Sequence, residues 1–402
     1  MHRAKEAFCS SPPSSSLPPC ACDWLPWAPN ASRCACAKEL SGVATCFNRC
    51  CGPPTTAAAP RHLVVHAAYK VTDAFLERAR EAAAQARAAD VQYFVSFLLG
   101  DGVHDRCPDA DPIGSAAWWA ARGVESPPSD AAQSRQHQHQ LLSLRRLKSA
   151  VGTDAVWCLD AARVEATFPG FFTALATVPS EERFPRFAKA GSIAGFNWPW
   201  FACDVPALVS TAMAAARAPT FDYLWQLDWD VAWVGSLPAV LKTFDAFPSD
   251  LLTYEEAAAG ALPMHKGETK IGGHVGALNA SSHAAAGAYR QLGARNYLQD
   301  AEVFKAMLVP ARYSRRMLGS LRELVSNRRH AFCESRAPSL CKSAKWCHHR
   351  AMRLVAPQAF APGAFGCCNK VSMGDVYWRR EQWAKEPPTE RPPGMLIHRV
   401  QE

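Results

Sequence analysis

The sequence predicts an α/β protein with a Rossmann-like, mostly parallel sheet flanked by helices. Residues 62–99 contain a strand, a helix and a second strand in succession, which is how a domain with a parallel sheet begins. Residues 223–227 are apolar except for Gln226, as in a central strand that is buried on both faces. Hydrophobic residues make up 49% of the chain and charged residues 20%, which is a globular composition.

The composition divides the 402-residue chain at residue 60. Residues 1–60 are rich in Pro, Ser, Ala and Cys and show no sustained periodicity, so we predict a disordered leader. Residues 61–402 carry periodic apolar patterns and are long enough for one large domain. We therefore expect a single folded domain behind a Cys/Pro-rich leader.

The first half of the folded region is predicted to supply three strands and three helices. An alanine-rich amphipathic stretch with few breakers predicts the first helix. Two segments without periodicity, 105–130 and 184–203, are predicted to be irregular. In chain order, the predicted elements are a strand over 63–66, a helix over 71–89, a strand over 91–99, a helix over 133–150, a strand over 155–159 and a short helix over 205–216.

The second half continues from the buried strand at 223–227. Cysteines and polar residues give 333–368 the composition of a loop, and a proline-bearing tail follows it. The strand predicted at 250–254 leads to the pair Glu255 and Glu256. The predicted helices cover 237–247, 283–292 and 313–325.

The charge of the chain restricts its partners. A formal net charge of +8, from 44 basic and 36 acidic residues, suits phosphate-bearing ligands, but it is too diffuse to indicate nucleic acid. The densest basic stretch, 312–329, lacks interleaved aromatic residues, so we interpret it as a solvated helix face. The chain has no run of about twenty apolar residues, and residues 1–10 lack the apolar core of a signal peptide. Membrane association would thus need an anchor upstream of this sequence.

The 16 cysteines of the chain are hard to reconcile with a reducing compartment, unless one cluster binds metal. The pairs among residues 20–51 could bind zinc or form disulfides, although their spacing is irregular and no histidine accompanies them. Cys333, Cys341 and Cys347 are expected to pair among themselves or with Cys367 and Cys368, and the connectivity cannot be deduced from the sequence.

The most informative motif is the acidic pair Asp228 and Asp230, which follows the buried strand. Charge in such a segment is costly unless it is paired or bound to a metal. Oxygen ligands of this kind suit Mg2+ or Mn2+. The alternative is that the two aspartates simply end the strand by turn chemistry or by pairing with an arginine. The bulky flanks Trp225, Trp229 and Trp233, and the lack of basic residues over 221–241, favour a metal site.

Carboxylates at the end of a parallel strand face the crevice where α/β proteins bind ligands. A divalent ion held there could stabilise the charge that develops on a departing diphosphate. At this motif the chain resembles nucleotide-sugar glycosyltransferases of the GT-A fold, and more narrowly algal proteins with the signature W-x-x-[D/E]-x-D-V-x-x-x-G. Weaker resemblance extends to 197–204, 312–318, 331–341 and 394–400. The signature is matched by Trp225, Asp228, Asp230, Val231 and Gly235.

The resemblance implies roles for particular residues. Asp230 would contact Mn2+ or Mg2+ directly, and Asp228 would face the ribose or the metal. His398 is a candidate third ligand, although Arg399 stands where the family usually has proline. Trp225 could stack on the sugar or base of the donor, with core packing as the alternative.

An inverting enzyme would also need a carboxylate to deprotonate the acceptor hydroxyl, whereas a retaining enzyme would need no such base. The first candidates are Glu334, in the cysteine-rich segment, and Glu255. Glu256, Asp300 and Glu302 also qualify, although acidic residues at the start of a helix are often caps. The implied partners are a nucleotide-sugar donor and a glycan, protein or lipid acceptor, in the Golgi or another secretory-pathway lumen.

Two other functions fit an acidic pair after a hydrophobic strand. A phosphatase of the haloacid-dehalogenase type would use Asp228 as nucleophile and Asp230 as general acid. Against it, that motif is normally found near the start of its domain, and no clear downstream Lys and acidic pair is present. A catalytically silent transferase-like domain that binds glycans is the second alternative.

Overall fold

The computed structural model describes residues 60–100, 105–108, 115–122, 131–176, 198–215, 221–255, 258–259, 304–306, 308–327, 333–361, 371–387, 392–398 and 400–401. In chain order, its elements are β1 (His62–Ala68), α1 (Asp73–Ala88), β2 (Gln92–Leu98), α2 (Ala116–Ala120), α3 (Ala131–Val151), β3 (Val156–Leu159), α4 (Ala161–Thr167), α5 (Phe171–Ala176), α6 (Trp198–Phe201), α7 (Val205–Ala215), β4 (Tyr223–Leu227), β5 (Val231–Gly235), α8 (Leu237–Lys242), β6 (Leu251–Thr253), β7 (Ala258–Ala259), β8 (Phe304–Lys305), β9 (Ala311–Ser314), α9 (Arg315–Ser326), α10 (Cys333–Ser343), β10 (His349–Ala351), α11 (Met352–Val355), β11 (Val371–Ser372), α12 (Met373–Lys385), β12 (Gly394–His398) and β13 (Val400–Gln401).

The central sheet has seven strands in the order β10-β6-β9-β4-β1-β2-β3. β1, β2, β3 and β4 pair in parallel, and so do β6 and β10. β9 lies antiparallel between β4 and β6. The run β3-β2-β1-β4 matches the first four strands of the Rossmann order 3-2-1-4-5-6. The α/β class and the mostly parallel sheet are therefore confirmed.

Helices cover both faces of the sheet, because alternate strand residues point to opposite sides. Leu63 and Val65 of β1 belong to a core cluster with α4, α5, α7, α9 and α10. Val64, between them, belongs to a second cluster with α1, α3, α8 and α11. A smaller cluster joins β5, β12, β13 and α12. None of the helices in the described ranges is long and apolar enough to span a membrane.

Most predicted elements of the first half agree with the structure, and the second half requires corrections. The helix predicted over 313–325 begins at Arg315, because Tyr313 pairs with Leu224 and Leu251 in the sheet. The side chain of Ser314 accepts a hydrogen bond from the Met317 N–H and caps the helix there. The segment 333–368, predicted to be loop, begins with the helix α10. The leader and the helix predicted over 283–292 lie outside the described residues.

The basic segment 312–329 was interpreted as a solvated helix face, and this interpretation is wrong for the first residues of the segment. Arg312 is fully buried in β9, and its guanidinium donates to the carbonyls of Phe244, Phe247 and Ser249. Arg316 forms a buried ion pair with Asp250 at 2.7 Å. These arginines support the sheet, because each one satisfies several buried oxygens that would otherwise be costly.

Three disulfides lie within the described residues. Cys341 pairs with Cys347, which is one of the pairings that the sequence analysis allowed. Cys333 instead pairs with Cys203, 130 residues earlier, and so joins the start of α10 to the segment between α6 and α7. The third bond joins Cys107 and Cys158. Cys367 and Cys368 lie outside the described residues.

Candidate functional site

The acidic motif lies at the carboxyl end of β4, at the point where the strand order reverses. β2 and β3 extend the sheet on one side of β1, whereas β4 pairs with the other side. Ligands of open α/β sheets bind outside the carboxyl ends of the strands at such a switch point. Asp228 and Asp230 follow Leu227, the last residue of β4, so the motif lies at this position.

Each carbonyl oxygen of the motif accepts a hydrogen bond from a different part of the chain. One donor belongs to β1, one to α1 and one to β13. Because the backbone is fixed in this way, its carboxylates are positioned before a ligand arrives. The donors are His66 Nε2 to the Asp228 oxygen at 3.0 Å, Arg78 Nη2 to the Trp229 oxygen at 2.9 Å, and the Val400 nitrogen to the Asp230 oxygen at 3.0 Å.

His66 is fully buried and held in one tautomer. A carbonyl can only accept, so Nε2 carries the proton that is donated to Asp228, and Nδ1 accepts from the Tyr93 hydroxyl at 2.8 Å. Burial, and then the charge of Arg78, lower the pKa of His66 to about 3. His66, Arg78 and Tyr93 were missed by the sequence analysis. A histidine inside an otherwise apolar strand is the signal that could have identified the first of them.

Negative groups concentrate at this edge of the sheet. Burial raises the pKa of Asp228 well above its ordinary value, and the neighbouring Asp230 raises it further. Tyr69, the first residue after β1, has a pKa raised by burial and then by Asp228, Asp230 and Asp204. A bound cation would relieve this repulsion, because it favours the ionised carboxylates.

The structure places His398 beside the motif. β12 pairs antiparallel with β5, which sets His398 opposite Val231. As a result, His398 Nε2 lies 3.6 Å from Asp230 Oδ1. An imidazole and a carboxylate are ligands that Mn2+ accepts, so these residues fit a divalent cation.

Within the described ranges, no group of three or more His, Cys, Asp or Glu side chains is arranged to hold a metal ion. A cation bound by Asp230 and its neighbours would thus take further ligands from substrate phosphates and water. This is how Mg2+ is commonly held, through one or two carboxylates plus phosphate oxygens.

A buried ion pair supports the site from one side. Asp204 and Arg336 are both buried, and Arg336 Nη2 lies 3.2 Å from Asp204 Oδ1. Burial raises the pKa of Asp204, and Arg336 opposes this rise. The adjacent disulfide Cys203–Cys333 ties the same two segments together. Both segments were noted in the sequence for their resemblance, but neither of these contacts was expected.

Glu255 lies at the same edge of the sheet as the acidic motif. Gln226 of β4 and Thr253 of β6 both pair with Ala311 of β9. Asp228 and Glu255 each come two residues after these positions, so both lie just beyond the carboxyl ends of strands that are two spacings, or roughly 10 Å, apart. This separation leaves room for reacting groups between them.

The other predicted site residues have different positions. Glu334 lies at the start of α10, where its carbonyl accepts from the Ala306 N–H at 2.9 Å. Trp225 is fully buried, and its indole N–H donates to His62 Nδ1 at 3.1 Å. The expectation that Trp225 contacts the donor therefore does not fit its position, because its ring lies in the core. Glu256, Asp300 and Glu302 lie outside the described residues.

No protein-family model matches the chain, and no curated protein is significantly similar to it. The α/β class alone does not define an activity, because one fold hosts many unrelated functions. A function must therefore be inferred from the residues at the carboxyl edge of the sheet.

The buried His66 predicts a loss of stability in acid. The unfolded chain takes up a proton near pH 6.5, whereas folded His66 resists protonation down to about pH 3. Its contribution is therefore complete above pH 6.5 and is lost as the pH falls towards 3. From pH 8 to pH 5 we expect His66 to account for a loss of about 2 kcal/mol.

His66→Gln should lose less stability than the wild type over this range, because an amide can replace both hydrogen bonds without titrating. Urea unfolding at pH 8 and pH 5, in a metal-chelating buffer, measures the difference. Equal losses in both proteins would contradict the assignment of a neutral, buried His66.

Proposed function

We propose that the protein is a divalent-cation-dependent glycosyltransferase of the GT-A type, which uses a nucleoside-diphosphate sugar as donor. The observation that carries the proposal is the position of Asp228 and Asp230 at the switch point of the sheet, with His398 3.6 Å from Asp230. Carboxylates at this position suit a cation that binds substrate phosphates.

In the proposed reaction, Asp230 and His398 would hold Mn2+ or Mg2+, and Asp228 would face the ribose or the same cation. When bound, the cation supplies Lewis-acid stabilisation of the diphosphate as the sugar departs. His66, Arg78 and the backbone of β13 keep the motif in place. Because the carbonyl oxygens are already satisfied, the carboxylates need little rearrangement during the reaction.

Glu255 is the better placed of the two candidate bases, if the enzyme is inverting. It would accept the proton of the acceptor hydroxyl while that oxygen bonds to the anomeric carbon and the bond to the diphosphate breaks. Its place just beyond the carboxyl end of β6, at the same edge of the sheet as Asp228, supports this role. The position of Glu334 beside the Cys203–Cys333 disulfide favours a part in the framework.

The proposed location is the lumen of the Golgi or another secretory compartment. Three disulfides within the described residues support this location, because such bonds persist in oxidising compartments and are rare in the cytosol.

The direct test is a thermal-stability screen of nucleoside-diphosphate sugars, with Mn2+ and with a chelator. A ligand at a concentration of 100 times its Kd raises the stability by about 2.7 kcal/mol, so a donor should raise the Tm only when Mn2+ is present. Release of nucleoside diphosphate from the stabilising sugar nucleotide then tests for turnover. Metal-independent stabilisation, or none with any donor, would count against the proposal. Binding without turnover, even with added acceptors, would favour the silent glycan-binding domain.

A further inference from the structure

A basic cavity of about 510 Å³ lies at the far edge of the sheet, beside β10. This volume is typical of sites for small molecules. Its lining combines the end of α10, the strand β10 and the short helix α11. Among the described residues that line the cavity, none is acidic. The charged or titratable residues are Lys342, Lys345, His348, His349 and Arg350, and the apolar ones include Leu354 and Val355.

The positive charge of this cavity is exposed and available to a ligand. The side chains of Lys345 and Arg350 are both exposed. Asp250 contacts the lining, because its Oδ2 accepts from the His348 N–H at 3.1 Å. Asp250 is already bound to Arg316 in a buried ion pair, so it offsets little of the charge that faces solvent.

Leu354 adds apolar surface to the basic lining of the cavity. The residue is 65% exposed and lines the cavity, so it offers apolar surface beside the basic side chains. A ligand that carries both an anionic group and an apolar face would use both kinds of residue. Sugar rings that bear carboxylate or sulfate groups have this combination.

The cavity is connected to Glu255 through hydrogen bonds. The Thr253 hydroxyl donates to the Glu255 carbonyl, so its oxygen accepts from His349 Nε2 at 2.7 Å. The Arg353 N–H of α11 also donates to the Tyr254 carbonyl at 3.2 Å. Burial, and then Lys342, lower the pKa of His349 to about 4, so this histidine is a neutral part of the wall near pH 7.

The sheet order places the cavity on the acceptor side of the proposed reaction. β10 is three strand spacings from β4, which is roughly 14 Å, and Glu255 lies between them at the carboxyl edge. A donor at Asp228 and a ligand in the cavity would therefore approach Glu255 from opposite sides. β10 pairs directly with β6, so one strand spacing, or roughly 5 Å, separates the strand of the cavity from the strand that leads to Glu255.

We propose that the cavity at β10 binds the anionic part of an acceptor oligosaccharide, through Lys345 and Arg350, and so directs an acceptor hydroxyl towards Glu255. The role as acceptor site rests on the function proposed above, whereas binding of the anionic sugar can be measured without it. Sulfate esters and uronic-acid carboxylates share the required charge, and the probes below distinguish them.

The test is isothermal titration calorimetry of the full chain with three oligosaccharides of equal length, one sulfated, one built of uronic acids and one neutral. We expect binding of one or both anionic probes and no binding of the neutral one. Lys345→Gln and Arg350→Gln should each weaken it about three- to fivefold, and the double variant about tenfold or more. Arg87→Gln is the matched control, because Arg87 is exposed at the far end of α1 and should leave the affinity unchanged.

Hydrolysis of the nucleotide sugar in the absence of acceptor separates this inference from the proposed function. The double variant should retain wild-type hydrolysis, because neither residue touches the acidic motif. If the double variant hydrolyses the nucleotide sugar and binds the oligosaccharide as tightly as the wild type does, the cavity assignment is overturned. The glycosyltransferase proposal would remain intact. A different result is that the wild type binds the oligosaccharide but does not hydrolyse any nucleotide sugar, and that the double variant no longer binds the oligosaccharide. The cavity would then remain a binding site, and its role in sugar transfer would be overturned.

Discussion

Asp230→Asn is expected to lower the rate of sugar transfer by about a thousandfold or more, while the protein stays folded. The proposed cation would stabilise the charge that develops on the diphosphate in the transition state by about several kcal/mol. This stabilisation is lost when the carboxylate that binds the cation is removed. Asparagine keeps the size of the side chain. It also removes the repulsion with Asp228, which raises the pKa of that residue, so the stability should not fall.

Asp90→Asn is the matched control for this substitution. Asp90 is exposed and lies just before β2, at the opposite edge of the sheet. Its backbone has a positive φ of 54°, a conformation that asparagine adopts as readily as aspartate. The control removes the same charge and should retain full activity.

The measurement is the turnover of the donor found in the stability screen, at several Mn2+ concentrations, by the wild type, Asp230→Asn and Asp90→Asn. If Asp230→Asn transfers sugar at the wild-type rate, the acidic motif does not hold a catalytic cation. Generic phosphatase activity that is lost in Asp228→Asn would instead favour the dehalogenase-like alternative, in which Asp228 is the nucleophile.

The second large effect is expected on stability. Arg336→Met should lower the free energy of unfolding by about 3–5 kcal/mol, because it leaves the buried Asp204 without its charged partner. Asp204 is only 1% exposed, so water cannot replace the lost ion pair. Urea unfolding at pH 7, with the disulfides intact, measures the change.

A second substitution distinguishes a lost ion pair from general damage to the core. Asp204→Leu combined with Arg336→Met removes both charges and should recover much of the loss, as apolar replacements of buried ion pairs do. Arg87→Met, at an exposed position, should change the stability by less than about 0.5 kcal/mol. If the double variant is as unstable as the single one, packing and not charge explains the effect.

The framework of the fold could be predicted where the local pattern is unambiguous. The apolar patterns in residues 62–99 and 223–227 identified β1, α1, β2 and β4 to within a few residues, because each pattern depends only on neighbours in sequence. The boundary at Tyr313 was missed, since the pairing of β9 with both β4 and β6 overrides the helical pattern. Tertiary contacts commonly decide such boundaries.

The candidate site was predictable in part. The acidic pair was identified because charge after an apolar strand demands an explanation. By contrast, Trp225 was assigned a donor contact from its place in the motif, whereas the structure buries it beside His62. The apolar pattern of residues 223–227 had already indicated a strand buried on both faces, and the position of Trp225 agrees with that pattern.

The chain's local pattern was enough to show that an apolar strand ends in Asp228 and Asp230 within an α/β domain. The proximity of His398 to Asp230 and the pairing of Cys333 with Cys203 emerged only from the folded structure. The physical reason is distance along the chain. Periodicity reports which face of an element is buried, but strand order and helix packing select the partners that meet across more than a hundred residues.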